Sequence, residues 1–414
     1  MAQHPFLKSI RPVNLLSFGP NTEEIELRPL NILIGPNGSG KSNLIEILAL
    51  LSKLPDKDPW SAVIQTGGAL EWIWKGETEG SEPPELTIIT TGETNTGRIL
   101  PRIGEEKPLF YSIVLREKDG NFEVARERFV ELEDGISGTM ANYTAFERDE
   151  AAPLVPTLPR PEDSEGLGGR LSPRRSILSM VGAVPNLSTK WPRMKDFEEA
   201  IESFAFYREW TFGASSEIRN LQPVGLDSYR LAGDSRNLAQ VLKAMRDRGN
   251  SIVFERLLEL LHKFYEPVKD VDTELVGTHL RIMIKEEGLG SRTPAERLSD
   301  GTLRWLMLLI ILLDPTPPPV ICIDEPELGL HPDAIHTLAD LLVEASKRTQ
   351  LIITTHSDAL LDAFTDTPDI VCVCEKVEGS TVIQRLDKER LKVWLDDYSL
   401  GQLWAKGEIG GNRW

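Results

Sequence analysis

A glycine-rich turn between a short apolar segment and a helical segment constrains this chain more than any other part of its sequence. Gly35, Gly40, Lys41 and Ser42 are spaced as in the pattern G-x-x-x-x-G-K-[ST], and the turn has the preceding strand and following helix that this pattern requires. The residues of the predicted phosphate loop and helix start are Gly35, Pro36, Asn37, Gly38, Ser39, Gly40, Lys41, Ser42 and Asn43.

The residue types of this loop follow from the chemistry of a bound triphosphate. Glycines let backbone N–H groups curl around phosphate oxygens, and a helix start adds unpaired N–H donors and the positive end of a dipole. Lys41 would reach the β- and γ-phosphates, and the Ser42 hydroxyl would bind Mg²⁺. The sequence therefore predicts that the chain binds a nucleoside triphosphate.

Length and composition limit the remaining possibilities. The 414 residues allow more than one domain or one domain with a large insertion, and the net charge of −18 argues against a surface coated for nucleic acid. Cys322, Cys372 and Cys374 form neither a metal-ligand spacing nor a disulfide framework, which indicates a reducing compartment. The longest apolar run, residues 305–313, is shorter than the ~20 residues that cross a bilayer, so we expect a cytoplasmic protein without membrane contact.

Short alternating segments after the phosphate-loop helix predict an antiparallel β-rich lobe. A hairpin turn is predicted at Asp119-Gly120-Asn121, between the last two segments. Helical patterns follow and predict a helical lobe. The predicted strands are residues 70–74, 85–90, 109–117 and 122–130, and the predicted helices are residues 197–207, 237–245 and 251–264.

Residues 131–195 are rich in Gly, Pro, Ser and Thr and predict a long, partly irregular insertion. This insertion holds a cationic cluster, for which two interpretations stay open. The cluster could contact a phosphate backbone or an acidic partner, or it could be a solvated loop balanced by neighbouring carboxylates. Its members are Arg160, Arg170, Arg174, Arg175, Lys190, Arg193 and Lys195.

A second anion site is predicted where Leu298-Ser299-Asp300-Gly301-Thr302 begins an apolar helix. Ser299 offers a hydroxyl and Gly301 a bare backbone N–H, and both lie at the positive end of the helix dipole. Taken alone, the same residues would also fit an ordinary capped core helix.

Residues 320–325 read as a buried strand that ends in two carboxylates. An acid at the carboxyl end of a parallel strand lies at the ligand-binding edge of the sheet. Asp324 is therefore predicted to hold Mg²⁺, and Glu325 to polarise the attacking water. The next apolar strand, residues 351–355, ends at His356, which can hydrogen-bond the γ-phosphate or the water.

Taken in order, these motifs resemble those of ABC-class ATPases, and more narrowly those of the RecF/SMC-like branch. The matching segments are residues 35–42, 298–302, 321–325 and 354–357, and residues 327–332 resemble that branch's loop after the acidic strand. The tail, residues 394–414, resembles a family of predicted bacterial RecF-like ATPases. Members of that family often occur in phage-defence or DNA-repair contexts beside a small partner protein, frequently a TOPRIM-type nuclease.

The resemblance implies an α/β fold: an ATPase head with a phosphate-loop sheet and an antiparallel β lobe, plus a helical lobe carrying the irregular insertion. It also implies ATP hydrolysis with Mg²⁺, with Lys41, Glu325 and His356 as catalytic residues. Ser299 and Gly301 would cap the ATP held by a second copy of the chain. The expected divisions are an N-terminal ATPase lobe (1–130), the insertion and helical lobe (131–270), a C-terminal ATPase lobe (271–390) and a tail (391–414).

Two features depart from the pattern of the class. A glutamine that follows the β lobe completes the magnesium site in ABC proteins, and here Gln65 and Gln222 are both candidates, of which Gln222 is favoured. Residues 298–302 stand where the class has its signature motif, and the third of them is Asp300 rather than the commoner glycine, which adds negative charge near a polyphosphate.

The implied function is an ATPase that dimerises around ATP and regulates a partner, such as a nuclease, acting on nucleic acid in phage defence or DNA repair. A transporter-type ABC subunit is the first alternative, but its signature would lie much closer to the phosphate loop. A fused nuclease would need a further acidic domain after His356, where only a short segment follows. A nucleotide-gated scaffold is the third alternative, and the intact Asp324 and Glu325 argue against it.

Overall fold

The structure is a computed structural model. The residues it describes are 5–76, 82–91, 108–131, 144–149, 152–155, 172–181, 192–208, 210–213, 216–247 and 251–411.

The described elements occur in runs of strands and runs of helices over most of the chain, and they alternate one by one between residues 300 and 377. The strands are β1 (Leu7–Val13), β2 (Ile25–Glu26), β3 (Leu30–Ile34), β4 (Glu85–Thr90), β5 (Leu109–Lys118), β6 (Asn121–Glu131), β7 (Thr144–Asp149), β8 (Ala152–Val155), β9 (Ala205–Tyr207), β10 (Gln222–Pro223), β11 (Val268–Val276), β12 (His279–Glu286), β13 (Thr293–Pro294), β14 (Val320–Asp324), β15 (Gln350–Thr354), β16 (Val371–Val377) and β17 (Ser380–Arg385). The α-helices are α1 (Lys41–Lys53), α2 (Ser61–Gln65), α3 (Ala69–Trp72), α4 (Leu178–Val181), α5 (Pro192–Glu202), α6 (Leu238–Asp247), α7 (Ser251–Phe264), α8 (Asp300–Leu312), α9 (Asp333–Ala345), α10 (Asp358–Asp362), α11 (Lys388–Leu395) and α12 (Leu400–Lys406).

A six-stranded sheet in the order β17-β16-β3-β15-β14-β9 forms the centre of the fold. Its first five strands in the chain, β3, β9, β14, β15 and β16, run parallel, and β17 pairs antiparallel at one edge. Side chains alternate between two cores, so that Ile32 and Ile34 enter one core and Leu33 enters the other. Burial on both faces explains why β3, β14 and β15 read as nearly continuous apolar runs.

Each face of this sheet is covered by a different set of elements. Helices α1 and α5 and the β lobe pack on the face that carries Leu33. Helices α6 to α10 pack on the opposite face together with α12, whose Leu403 and Trp404 are buried in the same core. The tail is therefore part of the core that supports the central sheet.

The β lobe is a seven-stranded antiparallel sheet in the order β2-β1-β4-β5-β6-β7-β8. The predicted hairpin turn joins β5 to β6, with Asp119 at φ 54° and Gly120 at φ 79°. The predicted strand over residues 70–74 is wrong, because Ala69–Trp72 form the short helix α3. Ala69 and Trp72 are both buried, and this three-residue spacing makes one helical face that a short apolar run does not distinguish from a strand.

The helical lobe contains α6, α7 and a four-stranded sheet, in which β12 lies between β10 and β11 and also pairs with β13. The predicted helix over residues 197–207 is partly wrong. Helix α5 ends at Glu202, and Ala205–Tyr207 form β9, which pairs in parallel with β14. Pairing with β14, in which residues 320–323 are buried, favours the extended backbone for this aromatic segment in spite of its helical pattern.

The apolar run near residue 305 is the core helix α8, in which every residue from Thr302 to Leu312 is buried. The Trp305 indole N–H donates to the Leu260 carbonyl of α7 at 3.1 Å, which satisfies the one polar atom of this buried ring. In the described parts of the chain, no helix has both the length and the apolar character that crossing a membrane requires.

Candidate active site

Three neighbouring parallel strands end at the same level, and their ends bring the predicted motifs together. Asp324 of β14 is paired with Thr354 of β15, and Thr354 is paired with Leu33 of β3. The phosphate loop begins at Gly35, two residues after Leu33, and His356 follows Thr354 by two residues. Because adjacent strands lie about 4.8 Å apart, Asp324 is about 10 Å across the sheet from β3.

The phosphate loop lies against β16 and β17 so closely that two of its glycines cannot be replaced without a shift. A Cβ on Gly35, which has φ 145°, would lie 2.2 Å from the Cys374 carbonyl oxygen. A Cβ on Gly40, which has φ 102°, would lie 2.1 Å from the Thr381 hydroxyl oxygen. The same hydroxyl donates to the Ser39 carbonyl at 2.8 Å and so fixes the loop to β17.

Lys41 is buried at the start of α1. Its Nζ donates to the carbonyl oxygens of the first two loop residues, at 2.8 and 3.0 Å. Burial lowers the pKa of the Lys41 ammonium, and nearby Cys374, Glu325 and Asp324 act in the opposite direction. The two strand-end carboxylates are therefore close enough to Lys41 to act on its charge.

The loop and its surroundings fit a magnesium-bound triphosphate. Helix α1 follows the left-handed Gly40 without a side-chain cap, which leaves its first N–H groups open to an anion. The Ser39 hydroxyl is buried and has no hydrogen-bond partner among the described residues. Mg²⁺ prefers oxygen ligands, and the Ser42 hydroxyl and the Asp324 carboxylate would provide them.

The acidic strand end has an unusual backbone at Glu325, which lies in the left-handed region with φ 47°. Its N–H donates to the Thr354 carbonyl at 3.1 Å, and the Thr354 hydroxyl donates to Asp324 Oδ1. Glu325 Oε1 lies 3.6 Å from His356 Nε2. The structure thus brings the predicted base and the predicted histidine face to face.

A third carboxylate, Glu327, accepts hydrogen bonds from the turn that contains His356. The sequence analysis had included Glu327 only as part of a loop. The Thr355 hydroxyl and the His356 backbone N–H, the latter at 3.2 Å, both donate to Glu327 Oε1. Burial raises the pKa of Glu327 in spite of these hydrogen bonds. Hydroxyl residues at the end of a buried strand were the signal that could have revealed this contact.

The signature motif begins α8, and Ser299 is its N-cap. Ser299 Oγ accepts from the Thr302 N–H at 3.1 Å and lies 2.7 Å from the Thr302 hydroxyl, while the residue itself is exposed. Gly301 packs closely on the loop after the acidic strand, because a Cβ there would lie 3.0 Å from the Gly329 carbonyl oxygen. The glycine thus allows close packing, and the serine stays accessible.

The negative charge of Asp300 is balanced within the chain. Arg219, which is 8% exposed, donates to Asp300 Oδ1 from one nitrogen and to the Leu298 carbonyl at 2.7 Å from another. The two partners are 81 positions apart, so no local spacing in the sequence could reveal this pair. The ion pair keeps the signature turn in shape and offsets the charge that a polyphosphate would meet.

Neither glutamine candidate belongs to the strands whose ends are described above. Gln222 is 2% exposed, and its side-chain oxygen accepts from the Ala239 N–H at 2.7 Å. Its nitrogen donates to the Glu217 and Ser235 carbonyls at 3.1 and 3.3 Å. These bonds give Gln222 a structural role in the helical lobe, and Gln65 is exposed on α2.

The strand that follows the β lobe in the chain and pairs with β14 is β9, which the sequence analysis missed. The first two described residues after its end are Arg208 and Trp210. Arg208 forms an ion pair with Glu46 of α1 at 2.9 Å. The Trp210 indole N–H donates to the Asp324 carbonyl at 2.8 Å. An arginine and a tryptophan therefore connect this strand end to α1 and to the acidic strand.

The cationic cluster is described only in part. Arg174 and Arg175 are exposed, whereas Lys195 Nζ forms an ion pair with Glu198 at 2.6 Å. Arg160, Arg170 and Lys190 lie outside the described residues.

Comparison with known sequences assigns the chain to a family. The sequence model of the family described as "AAA domain, putative AbiEii toxin, Type IV TA system" matches residues 30–154 and 170–362, which is more than half of the chain. The chain belongs to this AAA domain family. The matched ranges include the phosphate loop, the signature motif, the acidic strand and His356.

A relative of known name is the Old nuclease of Escherichia phage P2. It is 23% identical to this AAA-family chain in an alignment of 388 residues that covers 88% of this chain and 59% of the Old nuclease. The chain therefore spans about three-fifths of that protein's length.

Solved structures with the same fold are heads of SMC proteins. An SMC head bound to the C-winged helix domain of ScpA is 17% identical, and the match covers 94% of this chain and all of the other, with a TM-score of 0.56. The SMC head of Pyrococcus furiosus, solved with the C-terminal domain of ScpA, is 16% identical and covers 95% of this chain and 99% of the other, with a TM-score of 0.51. The predicted resemblance to ATPases of the RecF/SMC-like branch and the predicted α/β head with an antiparallel β lobe are confirmed.

Proposed function

We propose that this AAA-family chain hydrolyses ATP, that ATP joins two copies of it, and that the cycle regulates a partner acting on nucleic acid. The observation that carries the proposal is the register of β14, β15 and β3. This register puts Asp324 and the turn containing His356 at the same sheet edge as the phosphate loop.

The proposed roles follow from the contacts of each side chain. Lys41 binds the β- and γ-phosphates by exchanging its carbonyl partners for phosphate oxygens. Ser42 and Asp324 would hold Mg²⁺, which neutralises phosphate charge. Glu325 accepts a proton from the attacking water, and His356, 3.6 Å from its carboxylate, orients the water or the γ-phosphate.

The dimer proposal depends on the exposed start of α8. Ser299 Oγ bonds to Thr302 in its own chain, and its residue remains open to solvent. A hydroxyl and a helix N-terminus on the surface suit the γ-phosphate of an ATP held by a second copy. Such a site would be complete only in the dimer, so ATP would stabilise the dimer and hydrolysis would release it.

Ser299→Arg tests this arrangement. We expect the variant to bind ATP as a monomer with unchanged affinity, because its own phosphate loop is intact, but to form no ATP-dependent dimer and to hydrolyse no ATP. Light scattering on a sizing column with ATP and Mg²⁺ would measure the dimer, and calorimetry the affinity. Loss of the N-cap costs about 1 kcal/mol of stability, so the melting temperature of the variant would be measured in parallel.

Ser61→Arg is the matched control, because Ser61 is an exposed serine in the first turn of another helix, α2. It should dimerise and turn over as the parent does. A Ser299→Arg chain that still dimerises with ATP would remove the trans role of the signature from the proposal.

The partner proposal draws on the relatives. The phage P2 relative is named a nuclease, and the chain spans only part of it. SMC heads of the same fold have been solved with a ScpA domain bound. In the proposal, a separate partner, for example a TOPRIM-type nuclease, acts on nucleic acid under control of the ATP cycle, in phage defence or DNA repair.

The exposed arginines of the cationic cluster offer a test of nucleic-acid contact. Reversing both charges, with Arg174→Glu and Arg175→Glu, should weaken binding to duplex DNA and lower the slope of log affinity against log salt by about 2. Fluorescence anisotropy across a salt series would measure this. Arg390→Glu with Lys392→Glu, on exposed α11, changes the net charge equally. An equal loss of DNA affinity in the two double variants would favour the interpretation of the cluster as a solvated loop.

A further inference from the structure

Arg304 of α8 is almost fully buried, with 5% of its surface exposed, yet it lies beside the catalytic strand end. Its Nη1 donates to the Glu325 carbonyl at 3.2 Å. Its guanidinium carbon lies 4.9 Å from the centre of the Trp210 ring and 5.0 Å from that of Phe212. A planar cation against two aromatic faces is held in one orientation.

Glu325 needs such support because of its backbone conformation. Left-handed backbone is unfavourable for a residue with a side chain, and it persists only where the surroundings enforce it. The N–H of Glu325 is held by the Thr354 carbonyl, and its own carbonyl is held by Arg304. The neighbouring Asp324 carbonyl is held by the Trp210 indole at 2.8 Å. These bonds fix the direction in which the Glu325 side chain leaves the chain.

Arg304 is also connected to the signature motif at the start of the same helix. Arg304 lies four residues after Asp300, one turn along the same helix, and Asp300 is paired with Arg219. Arg219 Nε also donates to the Phe212 carbonyl at 2.6 Å. The signature turn and the aromatic pair that contacts Arg304 are therefore joined by buried hydrogen bonds as well as by the helix.

We propose that Arg304 is a positioning residue that holds the Glu325 backbone, so that Glu325 is set for hydrolysis only when the signature helix is in place. The inference rests on the proposed function, because it assumes that Glu325 acts on the attacking water. Its consequence is regulatory. A second copy's ATP that displaces or steadies the start of α8 would change the geometry of the base in the same chain, and so would couple the two nucleotide sites.

Arg304→Met tests the inference. Methionine keeps much of the buried volume but cannot donate to the Glu325 carbonyl. We expect kcat to fall about 100-fold, since small displacements of a catalytic group have effects of that size, while the affinity for ATP is unchanged. The matched control is Arg246→Met. Arg246 also lies over an aromatic ring, 5.3 Å from the centre of Phe254, and donates to the Val271 carbonyl at 2.7 Å, but in the helical lobe.

A double variant separates positioning from general damage. If Arg304 acts through Glu325, adding Arg304→Met to Glu325→Gln should cause no further loss in single-turnover rate. Trp210→Phe keeps an aromatic ring but loses the donor to Asp324, and is expected to lower kcat about fivefold with unchanged affinity. It replaces Arg304→Met if that variant does not fold.

Near-parental kcat in Arg304→Met and Trp210→Phe, or a full further loss in the double variant, would overturn the inference. Failure of the proposed function has a different signature, because Glu325→Gln itself would then turn over ATP normally.

Discussion

Glu325→Gln is expected to lower kcat for ATP hydrolysis about a thousandfold, because removing a general base usually costs two to four orders of magnitude. The affinity for ATP should not fall, because the phosphate loop is untouched and the neutral amide repels the polyphosphate less than the carboxylate does. With hydrolysis blocked, the ATP-bound dimer should accumulate. Phosphate release and light scattering in ATP and Mg²⁺ would measure the two effects.

Glu378→Gln is a suitable control for this variant. Glu378 also has a positive φ, of 50°, and is exposed in the turn between β16 and β17. The same chemical change there should leave kcat and dimer content as in the parent. Turnover by Glu325→Gln that matches this control would mean that Glu325 is not the base.

Lys41→Ala is expected to weaken ATP binding about a thousandfold. Lys41 is 7% exposed, and its ammonium lies among carbonyl groups at the base of the phosphate loop. A charge pair at contact distance is worth about 4 kcal/mol at the effective dielectric near a protein surface, which corresponds to about three powers of ten in affinity. Calorimetry with ATP and Mg²⁺ would measure the loss, and ATP would no longer raise the melting temperature.

Lys53→Ala removes an exposed lysine from the last turn of the same helix, where it pairs with Asp56 at 3.5 Å. It controls for the loss of one positive charge and for helix stability. If Lys41→Ala bound ATP as tightly as Lys53→Ala, the loop would not be the triphosphate site.

The parts of the site that could be predicted from the sequence are those in which chemistry dictates residue type and spacing. Gly35 and Gly40 are needed because the backbone is left-handed and β16 and β17 lie within 2.2 Å of any added Cβ. Asp324 and Glu325 follow an apolar run that ends at the ligand-binding edge of the sheet. In both cases one short segment contains the whole signal.

Contacts between distant segments could not be predicted in this way. Arg304 contacts Trp210 only because the fold brings α8 close to the segment that follows β9. No local sequence pattern connects the two residues. The Arg219–Asp300 pair likewise depends on the fold of the helical lobe. This ion pair also explains why the signature motif accommodates the negative charge of Asp300, which the sequence did not explain.

The conformation of very short elements was predicted wrongly for a different reason. The three residues of β9 follow α5 after only two intervening residues, so their aromatic side chains continue a helical pattern. Their strand conformation depends on pairing with β14, more than 100 positions later in the chain. Tertiary pairing decided the outcome, and local propensity did not.

The position of β3 in the central sheet has a consequence for how the protein is made. Its neighbours are β15 and β16, which the ribosome adds more than 300 residues later, and the Leu7 N–H bonds to the Gln350 side chain across 343 positions. A nascent chain that has not yet emerged as far as β15 therefore has a glycine loop whose strand lacks its neighbours in the sheet. Productive folding, and with it the first capture of nucleotide, must wait until β15 and β16 have been synthesised.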